Sequence, residues 1–296
     1  MKVVFLGTSA MVPTKERNHP STLILYKNEG ILLDCGEGTQ RQLKFAKIKP
    51  TKITKILISH WHGDHVFGLP GLIQTLGADE YDGILRIYGP KGTKKMLDNV
   101  LNAFILTSKV EIEVHEVEFG KFFENDHYQL KAFPLRHTAK TIGFRFEEKE
   151  VRKMSASLIK KFNVPHGPLV GKLQDGQNIK VDGKVIKPDD VSTIKKGRII
   201  GFISDTGMDN HSLKIAKDAD LLISEATFTD EHEEKARLFK HLTAKQAALI
   251  ASNSKVKKLV LTHFSQRYRT TDKSLEEAQS IFPKVICAKD FLSLSL

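Results

Sequence analysis

Short apolar runs alternate with polar, helix-patterned stretches along the 296 residues of this chain. Runs of about four to eight apolar residues are typical of buried strands. Several of these runs end beside a polar side chain that is capable of catalysis. Because rigid strands direct the groups at their ends toward a common crevice in layered α/β proteins, we expect these side chains to form one site. They are Thr8, Asp34, His60, His137, Asp205, Glu225 and His263.

Helical periodicity lies between the strand-like runs, at residues 69–76, 93–101, 243–252 and 273–281. Thr243 is a suitable N-cap for the third of these helices, which places His241 just before a helix start. The alternation of strands and helices predicts sheets covered by helices, an α/β fold that some schemes class as α+β.

The composition, with 40% hydrophobic residues, is sufficient for one large domain or two small ones. The apolar run at residues 1–6 is too short for the core of a signal peptide, and no run approaches the length of a bilayer span. We therefore expect a cytoplasmic protein without a membrane partner. Cys35 and Cys287 lack C-x-x-C spacing, so we expect two reduced, mostly buried thiols.

The net charge of +11 attracts polyanions and makes nucleic acid the first partner to consider, although a generally lysine-rich surface would give the same value. The charge is concentrated in residues 152–174, which contain five basic residues and no acidic one. Gly167 and Pro168 interrupt this stretch and oppose a continuous helix. We interpret it as an insertion with a basic face; the alternative is a crossover loop packed on the surface.

The most informative motif is SHWHGDH at residues 59–65, which follows the apolar run ITKILI. Side chains alternate faces in an extended chain, so His60, His62 and Asp64 would point the same way. A turn at Gly63 would bring His65 round to the same centre. Imidazole and carboxylate groups are ligands that suit zinc, and the arrangement is what two adjacent metal ions need.

This motif resembles the signature of the metallo-β-lactamase superfamily, and His137, Asp205 and His263 follow in the order of its remaining ligands. Five finer motifs resemble the tRNase Z (ribonuclease Z) family in its short form, in which Ser224 here replaces a histidine of the H-E-A-T motif. They are PTKERN at 13–18, SEAT at 224–227, HLTAKQAA from His241, THFSQRY at 262–268, and NVPHGP followed by GKLQDG at 163–176.

The resemblance implies a single metallo-β-lactamase domain over residues 1–296, a four-layer αββα sandwich with a protruding basic arm at 148–197 that binds tRNA. It also implies a zinc-dependent endoribonuclease that removes the 3′ trailer from precursor tRNA, leaving a 3′-hydroxyl on the tRNA and a 5′-phosphate on the trailer. Enzymes of this family are homodimers, so the resemblance also implies a homodimer here.

Two zinc ions per chain are implied by the same resemblance. His60, His62 and His137 would hold one ion, while Asp64, His65 and His263 would hold the second. Asp205 would bridge the two ions, and Asp34 would orient ligands without binding metal. The function needs a strong nucleophile at neutral pH, and zinc lowers the pKa of bound water to about 7.

Catalytic and binding roles follow for further residues. Asp64 would hold a metal and accept the proton of water. His241 would be the general acid for the departing 3′ oxygen, oriented by Glu225; the alternative is that His241 only supports a metal ligand. Residues expected to contact RNA are Lys15 and Arg17 at the 3′ end, and Arg152, Lys153, Lys160, Lys161, Gly167, Pro168 and Lys172 in the arm.

Two other functions remain compatible with the metal motif. A small-molecule hydrolase of the same superfamily, such as a thioesterase or a cyclic-nucleotide phosphodiesterase, would explain the ligands but not the basic arm or PTKERN. A non-catalytic RNA-binding module with structural zinc would be unusual, because structural zinc sites are closed and rich in thiolates.

Overall fold

The computed structural model describes residues 1–106 and 109–296. The chain divides into two compact units. The large unit comprises Met1–Glu124, Leu130–Phe146 and Ile199–Leu296, and the small unit comprises Asn125–Gln129 and Glu147–Arg198. None of the described helices combines the length and apolar character that a membrane span requires.

Most strands of the described chain belong to two seven-stranded sheets. In order, the first contains β20, β1, β3, β4, β5, β6 and β7, and the second contains β19, β17, β16, β15, β10, β9 and β8. The bounds are β1 Lys2–Gly7, β2 Ser9–Ala10, β3 Ser21–Tyr26, β4 Glu29–Leu33, β5 Ile53–Leu57, β6 Ile84–Gly89, β7 Glu111–Glu116, β8 Gly120–Glu124, β9 Tyr128–Arg136, β10 Lys140–Glu148, β11 Val151–Met154, β12 Ile179–Val181, β13 Lys184–Ile186, β14 Ser192–Lys195, β15 Ile199–Ile203, β16 Leu221–Glu225, β17 Leu259–Thr262, β18 Phe264–Ser265, β19 Val285–Cys287 and β20 Ser293–Ser295.

The helices lie mostly between these strands in the sequence. They are α1 Thr39–Phe45, α2 Gly63–Val66, α3 Leu69–Ala78, α4 Thr93–Asn102, α5 Ala156–Lys161, α6 Pro168–Gln174, α7 Asn210–Ala216, α8 Glu233–Phe239, α9 Ala244–Asn253 and α10 Asp272–Gln279, with 3₁₀ turns at Pro50–Lys52, Pro188–Asp190 and Asp230–His232. The four predicted helices correspond to α3, α4, α9 and α10. Thr243 caps α9 as predicted: its hydroxyl accepts a hydrogen bond from the backbone amide of Gln246.

Each sheet of the large unit packs helices against its outer face. Apolar residues of α1, α3 and α4, such as Leu43, Leu72 and Leu97, share one buried cluster with the first sheet. Helices α7, α9 and α10 share a second buried cluster with β15, β16 and β17. This packing removes a large apolar area from water, which is the main favourable term in folding.

The inner faces of the two sheets pack against each other. Tyr26 of β3 contacts Phe146 of β10 edge to face, with ring centroids 5.3 Å apart, and Tyr88 of β6 lies 4.9 Å from Phe122 of β8. The order of layers in the large unit is therefore helix, sheet, sheet, helix, and the predicted four-layer αββα sandwich is confirmed.

The small unit has its own apolar cluster. Strands β11 and β14 pair in antiparallel fashion, and β12 and β13 form a hairpin whose turn residues, Asp182 and Gly183, both have positive φ. The interruption predicted at Gly167 and Pro168 is confirmed, because α5 ends at Lys161 and α6 begins at Pro168. The use of residues 148–197 as a tRNA-binding arm stays a prediction. The buried cluster contains Ile159, Val164, Leu173, Ile179, Ile186 and Val191.

Candidate metal centre

The SHWHGDH segment leaves β5 and turns at the predicted position. His62 is still extended, with φ −69° and ψ 146°, and Gly63 begins the single turn of α2 that carries Asp64 and His65. The helical turn brings His65 to the side on which His60 lies, and their ring centroids are 4.1 Å apart. The prediction of a turn at Gly63 is confirmed.

The loop after β4 holds this turn in place. The amide of Cys35 donates to the carbonyl of His65 at 2.8 Å, and the amide of Gly68 donates to the carbonyl of Cys35 at 2.9 Å. A Cβ atom at Gly68 would lie 2.0 Å from the carbonyl oxygen of Gly36, so only glycine permits this approach.

Both cysteines are free thiols, as predicted.

Four side chains from three strand ends form a first cluster of possible metal ligands, and their ligand atoms all lie within 4.8 Å of one another. Nδ1 of His62 lies 3.0 Å from Nε2 of His60 and 3.3 Å from Nε2 of His137. Oδ2 of Asp205 lies 3.7 Å from Nε2 of His60 and 3.8 Å from Nε2 of His137.

A second cluster lies directly beside the first and contains Asp64, His65 and His263. Oδ2 of Asp64 lies 3.4 Å from Nε2 of His65 and 3.5 Å from Nε2 of His263. Asp205 contacts this cluster too, since its Oδ1 lies 3.2 Å from Nε2 of His263. Asp205 thus belongs to the first cluster and contacts the second, and it forms a further possible ligand group with His263 and His241.

The spacing of these atoms fits metal ions. A tetrahedral site with metal–nitrogen distances of about 2.0–2.1 Å has ligand atoms about 3.3 Å apart, close to the distances between the groups here. Three buried atoms, Nε2 of His65, Nε2 of His263 and Oδ1 of Asp205, have no hydrogen-bond partner within the described residues. Such unsatisfied groups are costly, and a cation would satisfy all three at once.

Hydrogen bonds to the outer ring nitrogens aim the histidines at the clusters. Nδ1 of His65 donates to Oδ2 of Asp34 at 2.8 Å, and Nδ1 of His137 donates to the carbonyl of Lys240 at 2.9 Å. Nδ1 of His263 lies 2.9 Å from the hydroxyl of Thr227. These contacts fix the tautomer that leaves Nε2 available to a metal. Asp34 also accepts from the amide of Ser59 at 2.7 Å, and it lies outside both clusters.

Charge differs between the two clusters. Burial lowers the pKa of His60 well below its usual value and also lowers that of His137, so both rings are neutral and ready to bind metal. Burial acts the same way on His65, but the carboxylates of Asp205 and Asp64 outweigh it and raise its pKa well above the usual value. A metal ion that binds His65 must therefore displace a proton that these carboxylates favour.

A buried carboxylate and a histidine stand beside the clusters. Glu225, the last residue of β16, is 1% exposed, and its Oε1 lies 3.0 Å from Nδ1 of His241. Glu225 also accepts from the amide of Thr206 at 2.7 Å and the hydroxyl of Thr227 at 2.6 Å. Burial acts to lower the pKa of His241, but Glu225 and Asp205 outweigh it and raise the pKa to about 9.

The loop at residues 13–18 places its two basic residues differently. Lys15 is exposed, whereas the guanidinium of Arg17 is buried and donates to the carbonyl of Tyr268 at 2.5 Å. In this arrangement Arg17 supports the loop from within, and the contact with RNA expected of both residues stays a prediction. Asp290 accepts from the amide of Asn18 at 2.8 Å and ties the end of the loop to the hydroxyl of Thr8.

Some of the predicted arm residues stabilise the protein itself, whereas others are exposed to solvent. Arg152 of β11 donates to Asp189 at 2.6 Å and to Ser192 at 2.7 Å, which stabilises the small unit. Gly167 has φ 116°, a conformation that glycine adopts at low cost, and it begins α6. The remaining predicted residues have exposed side chains; they are Lys153, Lys160, Lys161, Pro168 and Lys172.

Sequence reasoning missed several residues that organise the site. Thr227 is a clear case, because its hydroxyl lies within 3.2 Å of Glu225, His241 and His263 at once. Met11 and Asp290 were also missed. Nothing local marks such residues, although Thr227 lies in the SEAT motif that was recognised for Glu225.

Comparisons with known proteins identify the family and the fold of the chain. A family model described as Anti-Pycsar protein Apyc1 matches residues 1–160, a range that includes His60, His62, Asp64 and His65 but neither Asp205 nor His263. Human tRNase Z, short form, superposes with a TM-score of 0.71 at 29% identity, covering 100% of this chain and 99% of that one. The metallo-β-lactamase fold protein YhfI from Bacillus subtilis has a TM-score of 0.72 at 18% identity, covering 99% and 98%, and shares the fold.

Similarity to curated relatives extends over the whole chain, beyond the reach of the family model. Ribonuclease Z from Methanothermobacter thermautotrophicus is 38% identical over 297 residues, which cover 100% of this chain and 97% of the relative. This chain, with its metallo-β-lactamase fold and its clusters of histidines and aspartates, belongs to the ribonuclease Z family.

Proposed function

We propose that this protein is a tRNA 3′-processing endoribonuclease, which hydrolyses the phosphodiester bond between a precursor tRNA and its 3′ trailer. The observation that carries the proposal is the pair of adjacent ligand clusters, which Asp205 of the first connects to His263 of the second, with the His241 and Glu225 pair beside them. Two kinds of similarity support the same reaction. Relatives that match this chain over its full length are named ribonuclease Z, and a solved tRNase Z structure has a similar fold.

The metal we propose is zinc, with two ions per chain. His60, His62 and His137 would hold one, Asp64, His65 and His263 the other, and Asp205 would serve both. When bound, the ions would lower the pKa of water and neutralise charge on the phosphoryl oxygens. The mixed imidazole and carboxylate set, without a thiolate, favours a catalytic over a structural zinc site.

The chain's own side chains supply the proton transfers. Oδ2 of Asp64 lies within 3.5 Å of Nε2 of both histidines of its cluster, where it can accept a proton from the attacking water. Nδ1 of His241 is held by Glu225, so Nε2 is the nitrogen that is free to donate a proton to the departing 3′ oxygen. Attack in line with that oxygen leaves a 3′-hydroxyl on the tRNA and a 5′-phosphate on the trailer.

The test is cleavage of a precursor tRNA that carries a labelled 3′ trailer, with the cut mapped to the nucleotide. Enzymatic ligation reports the 5′-phosphate of the trailer, and periodate oxidation reports the free 3′-terminal diol of the tRNA. Asp64→Ala is the inactive variant, and Asp79→Ala, at an exposed aspartate after α3, is the matched control. Absence of a cut at the trailer junction by the zinc-loaded protein would overturn the proposal.

We also propose a homodimer in which the small unit grips the tRNA. An exposed aromatic pair supports a self-association surface: Phe45 is 58% exposed, Phe291 is 42% exposed, and their rings meet edge to face at 6.0 Å. Light scattering should give twice the chain mass. Phe45→Ser should lower that mass, whereas Leu238→Ser, at an even more exposed apolar position, should not.

A further inference from the structure

A basic cavity of about 200 Å³ adjoins the candidate general acid. Its walls include Arg136 at the end of β9, Arg237 of α8, Lys240 and His241, together with the carboxylate of Glu233. The cavity holds several times the volume of a water molecule, which is about 30 Å³. It is therefore large enough for a phosphodiester group.

The cations of this cavity are available to a ligand. The side chains of Arg136 and Arg237 form neither a hydrogen bond nor an ion pair with any part of the chain that the structure describes, and both are exposed. The ammonium of Lys240 makes one contact, to the carbonyl of His137 at 3.2 Å, and so retains donors. Three cations face a single carboxylate, which favours an anion, and arginine binds phosphate in bidentate fashion.

Two hydrogen bonds to backbone carbonyls of the cavity wall hold the cavity against the metal centre. The amide of Gly207 donates to the carbonyl of Arg136 at 2.9 Å, and His137 donates to the carbonyl of Lys240. His241 contacts both the cavity and the metal centre. It lines the cavity, and its ring centroid lies 5.0 Å from that of His137. The cavity and the candidate metal centre are therefore adjacent at His241.

We propose that this cavity binds the RNA phosphate on the 5′ side of the last nucleotide that the tRNA retains. The inference rests on the proposed function, in which Nε2 of His241 protonates the 3′ oxygen of that nucleotide. Because the oxygen lies at the His241 wall, the preceding phosphate of the same nucleotide is the one that reaches Arg136 and Arg237. The contact fixes the position of the leaving group.

The experiment pairs protein variants with a neutralised substrate. A precursor tRNA with a methylphosphonate at that phosphate is compared with the unmodified substrate for the wild type, for Arg136→Ala combined with Arg237→Ala, and for Lys235→Ala. Lys235 is an exposed residue of α8 outside the cavity and serves as the control. The wild type and Lys235→Ala should lose about tenfold or more in kcat/KM on neutralisation, in keeping with loss of charged hydrogen bonds.

The cavity variant should be about tenfold slower on the unmodified substrate, and neutralisation should cost it little more. Mature tRNA with a free 3′-hydroxyl should inhibit this variant correspondingly less well. Equal losses on neutralisation in all three proteins, or cavity-variant rates equal to those of Lys235→Ala, would overturn the inference alone. Failure of the wild type to cut precursor tRNA at all would overturn the proposed function as well.

Discussion

The backbone amide of Met11 donates a hydrogen bond of 2.9 Å to Oδ2 of Asp64. Met11 lies two residues before the PTKERN loop and has φ 55°, and its side chain is 80% exposed. The same carboxylate oxygen faces Nε2 of His65 and Nε2 of His263. The segment that leads into the loop proposed to meet the RNA 3′ end is thus bonded through its backbone to a residue of the candidate metal centre.

Met11→Pro should therefore impair catalysis. Proline has no amide hydrogen and cannot adopt a positive φ. Loss of a hydrogen bond to a charged group is worth about 10- to 100-fold, and we expect kcat for precursor tRNA to fall by that factor. Met11→Gly retains the amide and accepts the positive φ, so it should stay close to wild type. Equal impairment of both variants would show that the side chain, and not the amide, matters.

Metal analysis of the purified protein should find about two zinc ions per chain. Removal of metal by a chelator should abolish cleavage, and zinc should restore it. Asp64→Ala should nearly abolish cleavage while precursor tRNA binding largely survives, because the carboxylate both holds metal and accepts a proton. Fully active protein with a single ion would contradict the dinuclear centre.

His241→Ala should lower turnover by about 10²- to 10⁴-fold, the usual effect of general acid catalysis, with zinc content and tRNA affinity intact. Glu225→Gln should cost less, and the double variant should cost little more than His241→Ala, because the pair acts as one unit. A diester with a good leaving group needs no proton and should suffer far less. A comparable loss on that substrate, or loss of zinc, would make His241 structural.

The pH profile provides a separate test of this pair. A general acid works in its protonated form, so activity is present below the pKa of His241 and falls as pH rises through it. Glu225 raises that pKa. Glu225→Gln should accordingly shift the alkaline limb of the kcat profile to lower pH, whereas a purely structural effect would lower kcat without moving the limb.

Exposed lysines of the small unit should contribute to tRNA affinity. Deleting residues 152–174 would remove three members of the unit's apolar cluster, so we prefer Lys160→Ala, Lys161→Ala and Lys172→Ala combined. This variant should weaken binding and reduce the slope of log K against log salt by about 2–3. An equal effect from combined Lys91→Ala, Lys94→Ala and Lys95→Ala would show that only total charge matters.

Asp290 should make stability depend on pH. Burial raises its pKa to about 6, although the amide of Asn18 and the hydroxyl of Thr8 donate to it. The folded state then binds more protons than the unfolded state between about pH 4 and pH 6, so the free energy of unfolding falls as pH rises through that window. In urea unfolding of the zinc-loaded protein, Asp290→Asn should lack this component; identical slopes would refute it.

The sequence by itself determined the ligand types, their positions at strand ends and the helices between them. These features are local: alternation along ITKILI, the turn at Gly63, the cap at Thr243 and the break at Gly167 each depend on a few consecutive residues. The motif resemblance added the four-layer sandwich, which local pattern predicts only as sheets covered by helices. The sequence pattern did not predict the short helices α1, α7 and α8, because a helix of about two turns shows too little hydrophobic periodicity.

Only the tertiary structure decided which polar side chains act on one another. The PTKERN motif groups Arg17 with Lys15. In the structure, however, the buried guanidinium of Arg17 donates a hydrogen bond to the carbonyl of Tyr268, which is distant in the sequence. The cavity brings Arg136 of β9 beside Arg237 of α8, about a hundred residues later in the chain. Such pairings are set by how the strands of the second sheet align and where the loops beyond them turn back. A periodic pattern within one segment carries no record of that alignment, because hydrogen bonds between distant segments form only when the sheets and helices pack.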